Sequence, residues 1–223
     1  LQFICIGHVN FLDYEIAKMM KEAGCYCVGF GVQTFSQDIR KKFLNRFETN
    51  EQIKIAFNIC DSLRIRYSVD LILGLPGMTE EEYKAPIQLM RDCKYLNRLK
   101  CYNLSYFPKI AIIDKALEEG MIDSIDVQNI IRGKVGDWFH FDSLKDARHK
   151  RWKKNFSKIY KIYPFIPNFL KSIIVRKDLY KWFYLIPDFM VVLTQLFIGI
   201  KRKDYRFKVY INKYFYHMKR KMA

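Results

Sequence analysis

The sequence predicts an α/β fold with a parallel, barrel-like sheet, followed by a mainly helical, basic C-terminal region. Three observations predict it. Between Phe3 and Gly120, apolar segments of strand and helix character alternate in the order β-α-β-α-β-α-β-α, the order of parallel βαβ units. Tyr67–Leu73 is almost wholly apolar, as a strand covered on both faces is. Charge divides the chain: of 39 Lys and Arg and 23 Asp and Glu, residues 151–223 hold 18 bases and three acids (+15), which leaves 21 bases and 20 acids in the first 150 (+1).

The elements follow in order. Leu1 to Ile6 reads as the interior of a strand, Phe3–Gly7, so the sequence is expected to continue upstream of Leu1. Leu12–Glu22 carries Ile16, Met19 and Met20 at helical spacing and closes at Ala23-Gly24. Cys25–Gln33 is the next strand, with Val28, Phe30 and Val32 on one side. Ser36 is an N-cap for a helix through Phe43, and Thr49 with Gln52 forms a capping box for a helix to about Leu63. Tyr67–Leu73 leads into a tight turn, Gly74-Leu75-Pro76-Gly77. Thr79 and the acids after it open a helix through Cys93. Leu99–Phe107 is the fourth strand, and Ile112–Glu119 a helix stopped by Gly120. In the basic region, Ser143–Ile162 is helical, Pro164 and Pro167 break it, and Asn168–Tyr180 is helical again. Trp182–Ile200 holds one charge, Asp188, and basic and aromatic residues alternate from Lys201 to Lys221.

Composition excludes several classes. A chain that is 50% apolar and 16% aromatic is not disordered, and ten Gly and six Pro exclude a collagen-like or linker-rich chain. Cys5, Cys25, Cys27, Cys60, Cys93 and Cys101 lie in the neutral part, several inside apolar runs. They read as reduced core thiols and point to the cytoplasm. Cys25-Tyr26-Cys27 lacks zinc-ligand spacing. His8, His140, His149 and His217 stand apart from acid or thiol clusters and read as surface or structural residues. No Ser-His-Asp order, phosphate-cradling loop or dinucleotide fingerprint is present.

Ligands of parallel α/β sheets bind at the carboxyl ends of the strands. Three features lie there. Gln33 follows the glycine-bearing run Gly29-Phe30-Gly31-Val32. Asp70, inside an apolar strand, is either paired with an Arg such as Arg46 or Arg66, or aimed at a ligand. Gly74-Leu75-Pro76-Gly77 lets the next helix N-terminus approach an anion.

Together these segments resemble the radical S-adenosylmethionine (radical SAM) superfamily, and within it the branch often fused to a cobalamin-binding domain. The pattern is Ala23-Gly24-Cys25, Gly29-Phe30-Gly31-Val32-Gln33-Thr34-Phe35-Ser36, Asn45-Arg46, Thr49-Asn50-Glu51 and Asp70-Leu71-Ile72-Leu73-Gly74-Leu75-Pro76-Gly77-Met78-Thr79. The resemblance implies a partial (β/α)6 TIM-like barrel, with roughly strands three to six present in residues 1–135, and a basic, aromatic, mainly helical extension in 136–223. It implies S-adenosylmethionine and a [4Fe-4S] cluster as cofactors, with cobalamin as a further one. It also implies generation of a 5'-deoxyadenosyl radical for methyl transfer, cyclisation or rearrangement of a small-molecule or lipid-like substrate. By this analogy Gln33 reaches the ribose or methionyl end of SAM, Arg46 its carboxylate, and Asp70 with Ile72 the ribose and adenine. Phe107, at the end of the last strand, is a candidate for the adenine side. The family's C-x-x-x-C-x-x-C cluster loop and Gly-Gly-Glu strand are absent, and Pro108-Lys109-Ile110 stands where the family often has Pro-Gly-Thr. The cluster cysteines are therefore expected upstream of Leu1, with no metal ligands in this segment and no activity from it alone.

The alternative is a non-catalytic, barrel-derived scaffold. For the tail three readings stand: packing on the barrel with Lys and Arg snorkelling over apolar surface, attachment to an anionic membrane surface at the inner membrane face, and contact with nucleic acid.

Overall fold

The computed structural model describes residues 2–133 and 147–201. Four parallel strands, β1 (Phe3–Gly7), β2 (Cys25–Gln33), β3 (Arg66–Leu73) and β4 (Leu96–Asn103), form one sheet in the order β1-β2-β3-β4. Each strand lies beside its successor, so the sheet winds one way only, as in a barrel wall. The helices are α1 (Tyr14–Glu22), α2 (Gln37–Leu44), α3 (Asn50–Ser62), α4 (Glu80–Leu89), α5 (Ile112–Glu118), α6 (Ser124–Ile131), α7 (Ala147–Ile162), α8 (Asn168–Arg176) and α9 (Asp188–Lys201).

The two faces of the sheet differ in chemistry. Side chains alternate across a strand, and the register aligns Phe30 with Val69 and Leu99, and Val28 with Tyr67. This apolar face is buried under the helices, where Phe57 of α3 stacks on Tyr67 with centroids 4.8 Å apart. The other face carries Gly29, Gly31, Ser68, Asp70, Ile72, Arg98 and Lys100, with Gly31 beside Asp70 and Asp70 beside Lys100. Apart from Ile72, polar residues and glycines thus occupy this second face.

Capping follows the sequence closely. Thr49 and Gln52, Thr79 and Glu82, and Asp123 and Asp126 each form a capping box, and Asp13 accepts from the Ile16 amide at the start of α1. Elsewhere element ends move. β4 begins at Leu96, where Leu96 and Leu99 bury their side chains, and ends at Asn103. Beyond it Leu104 N–H donates to Leu73 O, and Lys109 takes φ +65° after Pro108. The expectation that Phe107 closes this strand is therefore wrong: Phe107 lies in the loop after it, 38% exposed. α4 ends at Leu89 and not at Cys93, shortly after Pro86, which donates no hydrogen bond. The predicted Asn168–Tyr180 helix stops at Arg176, with Asp178 at φ +54°.

The described tail packs on α4 and on the sheet edge at β4. Tyr160 donates to Tyr83 O, Tyr163 to Ile87 O at 2.6 Å, and Tyr180 to Glu80 Oε1. Phe156 stacks between Tyr83 (5.6 Å) and Tyr180 (4.9 Å). Trp182–Ile200 is not one helix: a 3-10 segment, Leu179–Leu185, meets α9 at 103° across Ile186-Pro187. Among the described residues no single helix is long and apolar enough to cross a membrane; that bent pair passes the test of length and composition together. The predicted start of the basic helix at Ser143 and the alternation beyond Lys201 lie outside the described residues.

Candidate functional site

The site lies at the carboxyl ends of β2 and β3. The β2–β3 register slips between Gly31 and Gln33, and Gln33 takes φ +67°, a left-handed conformation that costs a side-chain-bearing residue about 1–2 kcal/mol. Strain of this kind turns the Gln33 side chain back over Gly31. A Cβ at Gly31 would stand 2.8 Å from Gln33 Nε2 and 3.7 Å from Arg46 NH1. Glycine at 31 lets the amide of Gln33 and the guanidinium of Arg46 converge on its bare α-carbon; a methyl group there would push the Gln33 amide aside.

Arg46 is delivered by the end of α2. Asn45 takes φ +51° as the C-cap, and Arg46 N–H donates to Arg40 O at 3.0 Å. Arg46 Nε lies 2.8 Å from Glu48 Oε1, whose side chain is 2% exposed, and His8 Nε2 lies 3.9 Å from Glu48 Oε2. Beneath them Arg40, fully buried, donates to Thr34 O, Glu48 O (2.9 Å) and Asn50 Oδ1 (2.8 Å). Burial pushes its guanidinium below the ordinary range, and the nearby Glu48 carboxylate opposes that shift. One side chain thus ties the loop leaving β2 to the loop entering α3.

Asp70 sits beside Gly31 in register, with Lys100 Nζ 3.0 Å from its Oδ1 in an ionic contact and not an aligned hydrogen bond. Its partner is Lys100; the sequence alternatives, Arg46 and Arg66, are engaged elsewhere, Arg46 with Glu48 and Arg66 with the Tyr26 hydroxyl. Ile72 follows on the same face, partly buried. Gln33, Arg46, Asp70 and Ile72 therefore share one rim, and Phe107, beyond the end of β4, stands outside that strand register. The turn at 74–77 forms as predicted, with Gly74 at φ +85° and Gly77 at φ +74°. The N-terminus of α4 behind it is already filled by its own Glu82 capping box, and Glu80 accepts from Tyr180, so it offers no open anion site. A cleft of about 250 Å³ lined by Ile87, Arg91, Lys171 and Arg176 lies between α4 and α8, away from this rim.

The thiols are core residues. Cys25 Sγ is 3.7 Å from Cys5 Sγ, and burial, then Cys5, pushes the Cys25 thiol up to about 11. Burial pushes Cys60 up to about 12 and Cys93 to about 11, the direction opposite to that of a reactive thiolate. Among the described residues no three His, Cys, Asp or Glu side chains are grouped to hold a metal ion.

Sequence reasoning missed Lys100, Arg40 and Glu48. Lys100 could have been found from strict alternation, two residues after Arg98 on the strand beside Asp70. Arg40 gives no signal, since it follows the buried Ile39 on a polar helix.

A parallel sheet whose strand ends gather an amide, a guanidinium and a carboxylate sets hydrogen-bond donors and acceptors side by side on one face. The Radical SAM superfamily profile matches residues 2–90 of this chain. The chain is also similar to several curated proteins. It is 28% identical over 92 residues to a tRNA-2-methylthio-N(6)-dimethylallyladenosine synthase of Clostridium botulinum, covering 40% of this chain and 20% of that protein. It is 30% identical over 111 residues to the heme chaperone HemW of Bacillus subtilis, covering 48% of this chain and 28% of that protein. The chain thus spans about a fifth to a quarter of the length of these relatives. The structure of the radical SAM methyltransferase TsrM from Kitasatospora setae, with cobalamin and a [4Fe-4S] cluster bound, aligns at TM-score 0.45 and 20% identity. That alignment covers 53% of this chain and 22% of TsrM, a likeness too slight to bear on ligand or reaction.

Proposed function

We propose that residues 2–103 form the S-adenosylmethionine-binding wall of a radical SAM enzyme. The observation that carries this reading is the convergence of Gln33 and Arg46 on Gly31, next in register to Asp70. The site fits the ligand: the Gln33 amide and the Arg46 guanidinium converge over Gly31, and the neighbouring Asp70 Oδ1 has no aligned donor. Arg46, with Nε on Glu48 and NH1 toward Gly31, presents its free edge to the ligand carboxylate. Gln33 donates from its amide, Asp70 accepts from ribose hydroxyls, and Ile72 covers an adenine face. Lys100 holds Asp70 in place and balances its charge.

S-adenosylmethionine beside a [4Fe-4S] cluster supplies radical chemistry. The residues present do not fit the cluster: no C-x-x-x-C-x-x-C spacing occurs in the sequence, and among the described residues no three His, Cys, Asp or Glu side chains are grouped to hold a metal ion. The cluster ligands in this reading come from outside these 223 residues. The exposed edge of β1, where Ile6 is 91% exposed and Ile4 45%, is where further barrel strands would add.

Titration calorimetry with S-adenosylmethionine tests the binding step without a cluster. The folded chain is expected to bind, and Arg46→Ala and Asp70→Asn each to weaken binding about tenfold, or ~1.4 kcal/mol. A folded chain that binds no S-adenosylmethionine, or binds it equally well in both variants, would remove this reading.

A further inference from the structure

The tail turns an apolar surface outward. In the 3-10 segment the exposed residues are Leu179, Trp182 and Leu185, three apart, the spacing at which side chains eclipse. In α9, Phe189, Met190, Leu193, Phe197 and Ile200 are 49–67% exposed and fall in a stripe about 100° wide at helical pitch. Val191 and Ile198, on the opposite side of α9, are buried. Both segments pack on α7, through Tyr180 against Phe156 and through Gln195 and Asp188 onto Lys161 and Lys158. Their apolar rows therefore face away from the body of the protein.

This is the reverse of an ordinary surface helix. From Phe189 to Ile200 no residue is charged. At about 200 Å² for a large apolar side chain, the eight exposed residues present roughly 800 Å², more than a soluble monomer normally leaves in one region. Exposed cations lie on the adjoining segments, Lys161 on α7 where its carbonyl accepts from Gln195, and Lys177 and Lys181 beside and within the 3-10 segment; in sequence, Lys201-Arg202-Lys203 follows α9's apolar run. The one acid among the apolar residues, Asp188, is paired with Lys158 at 3.2 Å.

We propose that this surface docks on an anionic lipid bilayer, with α9 lying in the plane of the interface and Trp182 at headgroup depth. Charge decides the occupant. Residues 151–223 carry +15, which attracts anionic headgroups and repels a second copy of the same tail. Nucleic acid needs cations within the contacting face, and α9 offers none for twelve residues. Hydrocarbon suits that face, and the flanking lysines suit the phosphate layer above it.

Co-flotation of the full chain with vesicles of phosphatidylcholine, with and without phosphatidylserine, tests this. The chain should float with the phosphatidylserine vesicles at least about tenfold more than with phosphatidylcholine alone. Leu193→Gln/Phe197→Gln, at exposed positions and with circular dichroism checked to match the parent, should cut that binding about tenfold, and Lys177→Glu/Lys181→Glu should lower it too. Trp182→Phe should reduce the blue shift of emission on binding. The proposal fails if the double Gln variant floats as well as the parent, or if both vesicle types bind equally. It also fails if vesicles are not bound while RNA is retained, a dimer forms, or cross-linking shows residues 202–223 covering α9.

Discussion

Arg40 is the residue whose loss should tell most about the site, although it touches no ligand in the proposed reading. Its guanidinium is buried and serves three acceptors, Thr34 O, Glu48 O and Asn50 Oδ1, while Asn50 in turn donates to Phe35 O at 3.0 Å. Removing the donors leaves three acceptors in a dry place, each costing about 1–3 kcal/mol, with part recovered where water enters. Arg40→Met keeps most of the volume and removes the donors, so it isolates the hydrogen bonds from the cavity. A loss of about 3–5 kcal/mol is expected, a large fraction of the ~5–15 kcal/mol that holds a domain together. Urea titration followed by circular dichroism reads it, with Arg40→Ala alongside to add the cavity. The same loops carry Arg46 and Glu48, so ligand affinity should fall in Arg40→Met under conditions where the variant is still folded. If Arg40→Met lies within about 1 kcal/mol of the parent, the guanidinium is packing material, and the claim that it organises the site is wrong.

Four further outcomes follow from the geometry. Gln33→Gly should relieve the φ +67° strain and raise stability by up to about 1 kcal/mol while lowering affinity for S-adenosylmethionine, read by thermal melting and calorimetry on one sample. Gly31→Ala puts a methyl group against the movable end of Gln33, so folding should be nearly unchanged and affinity reduced; a loss of folding instead would mean that the backbone, not the side chain, is crowded. Lys100→Met should cost about 1 kcal/mol or less in stability, since the pair with Asp70 is partly solvated, yet weaken the ligand by releasing Asp70. Stability should fall as pH rises above 9: the unfolded chain ionises Cys60 from about 9.0, whereas the folded chain keeps it protonated to about 12, so Cys60 contributes a slope of about 1.4 kcal/mol per pH unit that Cys60→Ala should remove, leaving the parts due to Cys25 and Cys93.

Much of the fold was legible because each strand announces itself by two signals at once. β1 and β2 stand at the predicted residues, Phe3–Gly7 and Cys25–Gln33, since apolar alternation and flanking turn residues agree there. β4 was misplaced by three residues because Asn97 and Arg98, both buried, read as polar loop in a linear sequence. The error carried to Phe107, whose role rested on the strand ending there. Gln33, Arg46 and Asp70 were legible through the resemblance, and their proximity was not, because it depends on the bulge after Gly31 and on Asn45 turning left-handed. Lys100 and Arg40 act across 30 residues of chain and across six to ten, and pairings of that kind leave no periodic trace.

The aromatic residues of the tail explain why its composition admitted three readings. They fall into two populations that sequence alone mixes. Tyr160, Tyr163 and Tyr180 are buried, and their hydroxyls donate to Tyr83 O, Ile87 O and Glu80 Oε1 of α4. The Ile87 carbonyl belongs to the last turn of a helix, where no further amide follows to accept from, so Tyr163 supplies the donor that the helix end lacks. These tyrosines bind the tail to the barrel, and their polar tips are spent inward. Trp182, Phe189 and Phe197 are more than half exposed, and two of the three have no polar tip at all. Packing on the barrel therefore accounts for the first population and leaves the second without a partner. It is that remainder, bordered by lysines, which a lipid surface would cover.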